Sequence, residues 1–218
     1  MEEIKLYSAR VCPYAHRARL CLHEKGLQFQ TIEIDLTDKP DWFGSISPKL
    51  AVPALSFGDL VLYESSIILE FLNDRFADPA LMPSDAARRS LARLWIYRFN
   101  SELIPCFYRL LKESDDEKQQ ALRRELLTHI EAFDQQLKKT QADGPFWLGR
   151  DISLVDISLY PWFERWPVLE HYRNLHLPEN LIHVSRWWKA MFQRTSVQRQ
   201  IHPAGFYIDA YLRYVQTD

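Results

Sequence analysis

One short segment constrains the fold most, because a predicted strand turns directly into a predicted helix at a cysteine. The run Ile4-Lys5-Leu6-Tyr7 predicts a strand, and residues 14–25 predict a helix that ends at Gly26. Cys12 lies at the junction, and Pro13 takes the first helical position, where no intrahelical N–H donor is needed. A thiol at this position faces free backbone N–H groups and the positive end of the helix dipole. Both favour the thiolate, although a small buried cysteine is the alternative.

Positive charges near Cys12 are also expected to favour its thiolate form. Cysteines at helix N-termini have pKa values of about 3.5–7.5, against about 8.5 for a free cysteine. Arg10 and Arg17 are expected to add positive charge near the thiol. His16, four residues after Cys12, is either a base for the thiol or a surface histidine. We prefer the surface histidine, since the helix terminus already activates the thiol.

Composition excludes several classes of function. The chain has 218 residues, of which 47% are hydrophobic and 26% charged, which is typical of a folded protein with a hydrophobic core. The formal net charge of −2 gives no reason to expect nucleic acid or an anionic membrane as partner. The N-terminal residues lack the pattern of a signal peptide, and no apolar run reaches about 18 residues.

The three cysteines predict neither a disulfide framework nor a metal site, because they are widely spaced. Cys21 and Cys106 are expected to pack as small hydrophobic side chains. A reducing, cytoplasmic location fits this cysteine usage best.

The first third of the chain alternates strand and helix patterns. Strand, helix and second strand are spaced as in a parallel βαβ unit. A hairpin around Gly58-Asp59 and a further helix follow, which gives a βαβ-ββα order. This order resembles a thioredoxin-like α/β domain, which is expected over residues 1–78. The predicted strands are 4–7, 29–34, 52–57 and 60–63, the helices are 14–25 and 65–76, and residues 35–50 are a loop.

The rest of the chain predicts helices only. Residues 79–85 contain two prolines and no periodicity, which is typical of a linker. Residues 86–218 then predict an all-helical domain. Within it, Ser153 and Asp156 have the spacing of a capping box, a structural device that starts a helix in the core.

Four motifs in order carry a resemblance to a known family: Cys12-Pro13-Tyr14-Ala15, Val52-Pro53, Glu64-Ser65 and residues 153–156. With the two-domain plan, they resemble the cytosolic glutathione transferases over nearly the whole chain. Residues 39–43 and 160–165 are similar to the omega class, and the Cys-Pro-Tyr-Ala motif also occurs in the lambda class.

The resemblance implies glutathione as co-substrate and gives several residues a role in binding it. The Val52 backbone, before a cis Pro53, is expected to pair with the cysteinyl part like an added strand. Ser65 and its helix N-terminus suit the γ-glutamyl carboxylate, and Glu64 suits the ammonium group. The alternative for Val52-Pro53 is an ordinary turn, and the alternative for Glu64-Ser65 is an ordinary helix cap. Three further residues are expected at the same site: Lys39 on the glycyl carboxylate, with Leu36 and Tyr14 lining it.

A second-substrate pocket is expected between the domains. In it, Arg165 would bind an anionic group, and Phe206 and Tyr211 would form an aromatic wall. Core packing or a surface ion pair is the alternative for each of these three residues. The resemblance also implies a homodimer.

The predicted activity is glutathione-dependent thiol transfer, including removal of glutathione from mixed disulfides and reduction of dehydroascorbate. Cys12 stands where most glutathione transferases have Tyr or Ser, and a cysteine can form a mixed disulfide. Ala15 stands where a dithiol oxidoreductase has its second cysteine, so a second glutathione must resolve the intermediate. The alternatives are a transferase that conjugates or dehalogenates aromatic electrophiles, and a non-enzymatic binding module.

Overall fold

The computed structural model describes residues 2–140 and 142–215. The chain divides into two compact units, Met1–Met82 and Pro83–Asp218. The boundary between the units lies inside the segment that the sequence predicts as linker, residues 79–85.

The first unit is built on one four-stranded mixed sheet. Its elements are β1 (Ile4–Ser8), α1 (Pro13–Glu24), β2 (Gln30–Glu33), α2 (Phe43–Ile46), β3 (Ala54–Phe57), β4 (Leu60–Tyr63) and α3 (Ser65–Arg75). The strands lie in the order β2-β1-β3-β4, with β1 parallel to β2 and antiparallel to β3, and β3 antiparallel to β4. The central strand β1 is almost entirely buried, as expected for an apolar run paired on both sides.

The predicted loop over residues 35–50 contains one element that the sequence did not reveal. The four-residue helix α2 begins at Phe43, whose side chain is fully buried against Val52 and Tyr7. A helix of one turn is too short to show a 3.6-residue pattern, so periodicity could not indicate it.

The second unit is helical, as predicted. Its elements are α4 (Ala86–Arg98), a π-helical turn (Phe99–Leu103), α5 (Ile104–Lys112), α6 (Asp116–Thr140), α7 (Leu154–Glu164), α8 (Trp166–Arg173), α9 (Ile182–Phe192), α10 (Thr195–Gln198) and α11 (Ala204–Val215). Helix α7 forms the centre of this unit and is buried along its whole length. Within residues 2–140 and 142–215, no helix is both long and apolar enough to cross a membrane.

The start of α7 has the predicted capping box. The buried Asp156 carboxylate accepts hydrogen bonds from the Ser153 N–H at 2.8 Å and hydroxyl at 2.6 Å. It also accepts from the Trp147 N–H and the Trp187 indole N–H, both at 2.8 Å. Four donors from three residues therefore converge on one carboxylate, which ties the start of α7 to its surroundings.

Candidate active site

Cys12 is the N-cap residue of α1, as the strand-to-helix pattern predicts. Its sulfur accepts a hydrogen bond from the Ala15 N–H at 3.5 Å, and its extended backbone has the geometry of a cap. The thiol lies 3.6 Å from the Val52 carbonyl oxygen, to which it donates. The side chain is partly exposed, so the sulfur is accessible to a small molecule.

Two side chains outside the β1–α1 connection hold it in place. The buried Arg19 guanidinium donates to the Ser8 hydroxyl at 2.6 Å and to the carbonyls of Ala9 and Arg10 at 3.2 and 3.3 Å. The Ala9 carbonyl also accepts from the Cys12 N–H, and the Glu33 carboxylate accepts from the Arg10 N–H at 2.7 Å. These contacts fix the backbone immediately before the thiol.

Val52 is placed opposite Cys12 by the segment that contains α2. The Val52–Pro53 peptide bond is cis, as the resemblance implies. Before it, the buried Ser47 hydroxyl donates to the Ala51 carbonyl at 2.8 Å and accepts from the Ala51 N–H at 3.2 Å. Cys12 and Leu36, both partly exposed, pack against the cluster that contains Val52. The structure thus brings three of the predicted site residues together.

Glu64 and Ser65 stand at the start of α3. Glu64 has a positive φ of 71° and makes no side-chain cap to the helix. A non-glycine residue in this region is strained, and such strain is concentrated at functional sites. The exposed Glu64 carboxylate instead pairs with Lys49 at 2.6 Å. Ser65 is buried, and its hydroxyl accepts from Arg17 at 3.3 Å.

Tyr14 lies among these charged groups. Burial raises the pKa of its hydroxyl, the Arg17 guanidinium opposes that shift, and the nearby Cys12 and Glu64 charges add to it. The hydroxyl therefore stays protonated at neutral pH and remains a hydrogen-bond donor. Lys39 is exposed.

The other residues near the thiol differ from the predictions in one respect. His16 is fully buried, so its prediction as a surface histidine is wrong, because α1 turns this face toward the interior of the unit. Cys21 and Cys106 are fully buried, as predicted. Burial raises the pKa of both thiols to about 12, so neither is a nucleophile at neutral pH.

The residues predicted for a second substrate lie in the helical unit. Arg165 and Tyr211 are buried, and Phe206 is partly exposed. The Arg165 guanidinium donates to the Pro161 carbonyl at 2.8 Å and lies 4.3 Å from the centre of the Tyr207 ring. Their role toward a substrate stays a prediction.

Sequence reasoning missed three residues that support the site, Arg19, Ser47 and Lys49, and the specific contact that Arg17 makes. The predicted contribution of Arg17 to the charge near the thiol stays a prediction, and the structure adds that its guanidinium contacts Ser65 and Tyr14. Its position on the buried side of α1 was the available signal, since a charged residue there needs a partner. Within the described ranges, no group of three His, Cys, Asp or Glu residues is arranged to hold a metal ion.

Two family models match the chain. The model for the glutathione S-transferase N-terminal domain matches residues 11–75, and that for the glutathione S-transferase C-terminal domain matches residues 116–190. The chain belongs to the glutathione S-transferase family. Within this family it is omega-like, as its relatives show.

Its relatives include omega-class enzymes and plant proteins. Glutathione S-transferase omega-1 of Sus scrofa is 31% identical over 89% of this chain and 78% of its own length. Glutathione S-transferase DHAR2 of Arabidopsis thaliana is 34% identical over 89% and 88%. Probable glutathione S-transferase DHAR1, cytosolic, of Oryza sativa subsp. japonica is 33% identical over 85% and 81%.

Solved structures agree with these relatives. Glutathione transferase Omega 3C from Trametes versicolor superposes with a TM-score of 0.88 at 32% identity, covering 98% of this chain and 91% of its own. Rice GST1, solved in complex with glutathione, has a TM-score of 0.88 at 26% identity, covering 97% and 96%. The glutathione transferase fold therefore extends over almost the whole chain.

Proposed function

We propose that this glutathione S-transferase is a glutathione-dependent thiol transferase and reductase that uses Cys12 as its nucleophile. One observation carries the proposal. Of the three cysteines, only Cys12 is partly exposed, and it caps a helix 3.6 Å from the Val52 carbonyl. Omega-class and DHAR relatives support the same activity.

In the first half of the cycle, the Cys12 thiolate attacks the glutathione sulfur of a mixed disulfide. The new bond joins Cys12 to glutathione, the old disulfide bond breaks, and the substrate leaves as a thiolate that takes a proton. The Ala15 N–H and the N-terminus of α1 stabilise the Cys12 thiolate before attack and after release.

In the second half, the thiolate of a second glutathione attacks the glutathione sulfur bound to Cys12. This step releases oxidised glutathione and restores the Cys12 thiolate. No cysteine of the motif can perform it, since Ala15 occupies the position of a resolving thiol. Reduction of dehydroascorbate consumes the same two electrons from two glutathione molecules.

Glutathione is held by residues of the first unit. The Val52 backbone pairs with the cysteinyl part, which lies next to Cys12 because the Val52 carbonyl does. The start of α3 receives the γ-glutamyl part, with Ser65 on the carboxylate and Glu64 on the ammonium group. Lys39 holds the glycyl carboxylate. Three residues complete the surface: Tyr14, Leu36 and Pro53.

We propose that the second substrate is bound by Arg165, Phe206 and Tyr211. The substrate class is a small disulfide or a small electrophile. Arg165 and Tyr211 are buried, so contact with a substrate requires a rearrangement of the side chains around them.

The test compares two reactions of the purified protein with glutathione. We expect it to reduce hydroxyethyl disulfide and dehydroascorbate much faster than it conjugates chlorodinitrobenzene. After incubation with oxidised glutathione, mass spectrometry should place one glutathione on Cys12. Faster conjugation would favour the conjugating transferase, and no reaction with any substrate would favour a binding module.

We also propose a homodimer, supported by apolar residues at a sheet edge. The edge strand β4 exposes Leu60, Val61 and Tyr63, and Ile67 on α3 is 55% exposed. Exposed apolar residues on an edge strand are typical of an interaction surface. Sedimentation should give twice the monomer mass, and Val61→Glu should lower it to that of a monomer.

We propose a cytoplasmic location because all three cysteines are free, which is typical of a reducing compartment. The rice relative described as cytosolic supports it. Fractionation of cells that produce the protein tests it.

A further inference from the structure

Arg17 is a buried charge that the cycle at Cys12 does not use. It is 1% exposed, although arginine is almost never fully buried without specific partners. Two of its contacts reach residues that we propose bind glutathione. One guanidinium N–H donates to the Ser65 hydroxyl at 3.3 Å, and the guanidinium carbon lies 5.4 Å from the centre of the Tyr14 ring.

The direction of the hydrogen bond to Ser65 has a consequence for a ligand. A guanidinium has donors only, so the Ser65 oxygen must accept. The hydroxyl hydrogen is then directed away from Arg17. A donated charge-assisted hydrogen bond also polarises the O–H group and makes it a stronger donor.

The surroundings of Ser65 favour an anionic acceptor for that hydrogen. Ser65 is the first residue of α3, where backbone N–H groups lack helical partners. Glu64 does not cap the helix with its side chain, so this end is not closed by its own N-cap. A carboxylate placed here would meet the Ser65 hydroxyl, the helix N-terminus and, behind Ser65, the positive charge of Arg17.

We propose that Arg17 is a positioning residue for glutathione: it orients and polarises the Ser65 hydroxyl and supplies a buried positive charge behind the γ-glutamyl carboxylate. The inference rests on the proposed function, which makes glutathione the ligand. Because Arg17 acts through Ser65, it should govern glutathione affinity more than the chemical step.

The first test is the kinetics of Arg17→Met. We expect KM for glutathione to rise about tenfold, as for loss of a hydrogen bond to a charged group, with kcat within about threefold of wild type. The rate at which iodoacetamide alkylates Cys12 should stay near the wild-type rate. An unchanged KM, or an equal loss in kcat and alkylation, would overturn the proposal.

A double-mutant cycle with Ser65→Ala separates positioning from general support of the fold. If Arg17 acts through Ser65, Arg17→Met should add less than about threefold to KM in the Ser65→Ala background. If each substitution raises KM by its full factor and the two factors multiply in the double variant, Arg17 acts independently of Ser65. Should Arg17→Met not fold, Arg17→Gln takes its place in every arm, because it also removes the charge.

Arg19→Met is the matched control, since Arg19 is also a buried arginine on α1. Its donors go to the connection before Cys12, so we expect slower alkylation of Cys12 with little change in KM for glutathione. Equal rises in KM for both variants would mean that Arg17 only stabilises α1 and does not position Ser65. An inactive wild-type protein would instead contradict the proposed function.

Discussion

The N-termini of α3 and α7 differ in backbone geometry and in chemistry. The N-cap residue of α7, Ser153, is extended with a φ of −133°, whereas that of α3, Glu64, has a φ of 71°. At α7, Asp156 receives four hydrogen bonds from Trp147, Ser153 and Trp187, and everything there is buried. At α3, Glu64 makes no side-chain cap, and Ser65 holds a hydroxyl whose hydrogen is directed away from Arg17. A helix N-terminus whose donors are used internally stabilises the fold, whereas one left open can bind an anion.

The N-terminus of α1 lies between these two cases. Its cap is the sulfur of Cys12, a weak acceptor at 3.5 Å from the Ala15 N–H, and it is partly exposed. A weak cap leaves the helix terminus available to stabilise a negative charge on that same sulfur. Five predictions test this division between closed and open helix starts.

The largest effect is expected for Cys12→Ser. The serine still caps α1, but its hydroxyl cannot form a mixed disulfide, so reductase activity should fall by roughly 1,000-fold or more. Activity is measured with hydroxyethyl disulfide and glutathione. The midpoint of urea unfolding should stay near wild type, and retained activity would contradict the mechanism.

The second prediction compares Cys12 at the start of α1 with Cys21 inside it. The pKa values of Cys21 and Cys106 are raised to about 12, so only roughly one such thiol in 10⁴ is ionised at pH 8. Iodoacetamide should label Cys12 at least about 100-fold faster, as followed by mass spectrometry. Labelling of the two buried thiols should rise as pH increases toward 12.

These two thiols also link stability to pH. In the unfolded chain these thiols lose protons near the ordinary cysteine pKa of about 8.5–9, and in the folded protein only near 12. The folded state binds more protons in that window, so their contribution favours unfolding as pH rises from about 9 to 12. Equal labelling of all three cysteines at pH 8 would contradict their burial.

The third prediction concerns the N-terminus of α7 after removal of its hydrogen-bond acceptor. Asp156→Ala leaves buried donors of Trp147, Ser153 and Trp187 without an acceptor, and should lower the free energy of unfolding by roughly 3 kcal/mol or more. Urea denaturation measures it, with exposed Asp151→Ala as control, expected within about 0.5 kcal/mol of wild type. The folded fraction of Asp156→Ala should retain the wild-type KM for glutathione.

The fourth prediction concerns the open start of α3. Ser65→Ala removes one donor to the γ-glutamyl carboxylate and should raise KM for glutathione about tenfold. It also removes an acceptor from the buried Arg17, which should lower the free energy of unfolding by about 1 kcal/mol. Ser90→Ala, which removes an exposed hydroxyl from α4, is the control. A destabilised protein with unchanged KM would mean that Ser65 has only a structural role.

The smallest effect is expected for Lys49→Met. Its ion pair with Glu64 is exposed on both sides, and solvent and salt screen such pairs. We expect KM for glutathione to change by no more than about threefold, and less at high salt. A tenfold change would make Lys49 a binding residue in its own right.

Local patterns indicated much of the site. The apolar run before Cys12, the proline after it and the helical pattern beyond depend on neighbours in the chain, so the N-cap position of Cys12 follows from them. The capping box of Ser153 and Asp156 is local in the same sense, with partners three residues apart.

Other features depend on which surfaces pack together. The one-turn helix at Phe43 is held by burial and not by periodicity. His16 is buried because α1 packs that face inward, and a surface assignment from residue type alone is therefore wrong. The pairing of Arg17 with Ser65 joins residues 48 positions apart, and no local pattern specifies it.

The sequence by itself determined the two-part architecture, the thiol at a helix start and the absence of a second cysteine in its motif. These follow from periodicity, helix-terminus rules and residue identity, which are local. Only the tertiary structure decided that Cys12 faces the Val52 carbonyl, that Cys21 and Cys106 are too buried to ionise, and that Arg17 supports Ser65. Each of these depends on distance and desolvation. They arise when α1, α3 and the segment before β3 pack in the first unit, and when α5 and α6 pack in the second.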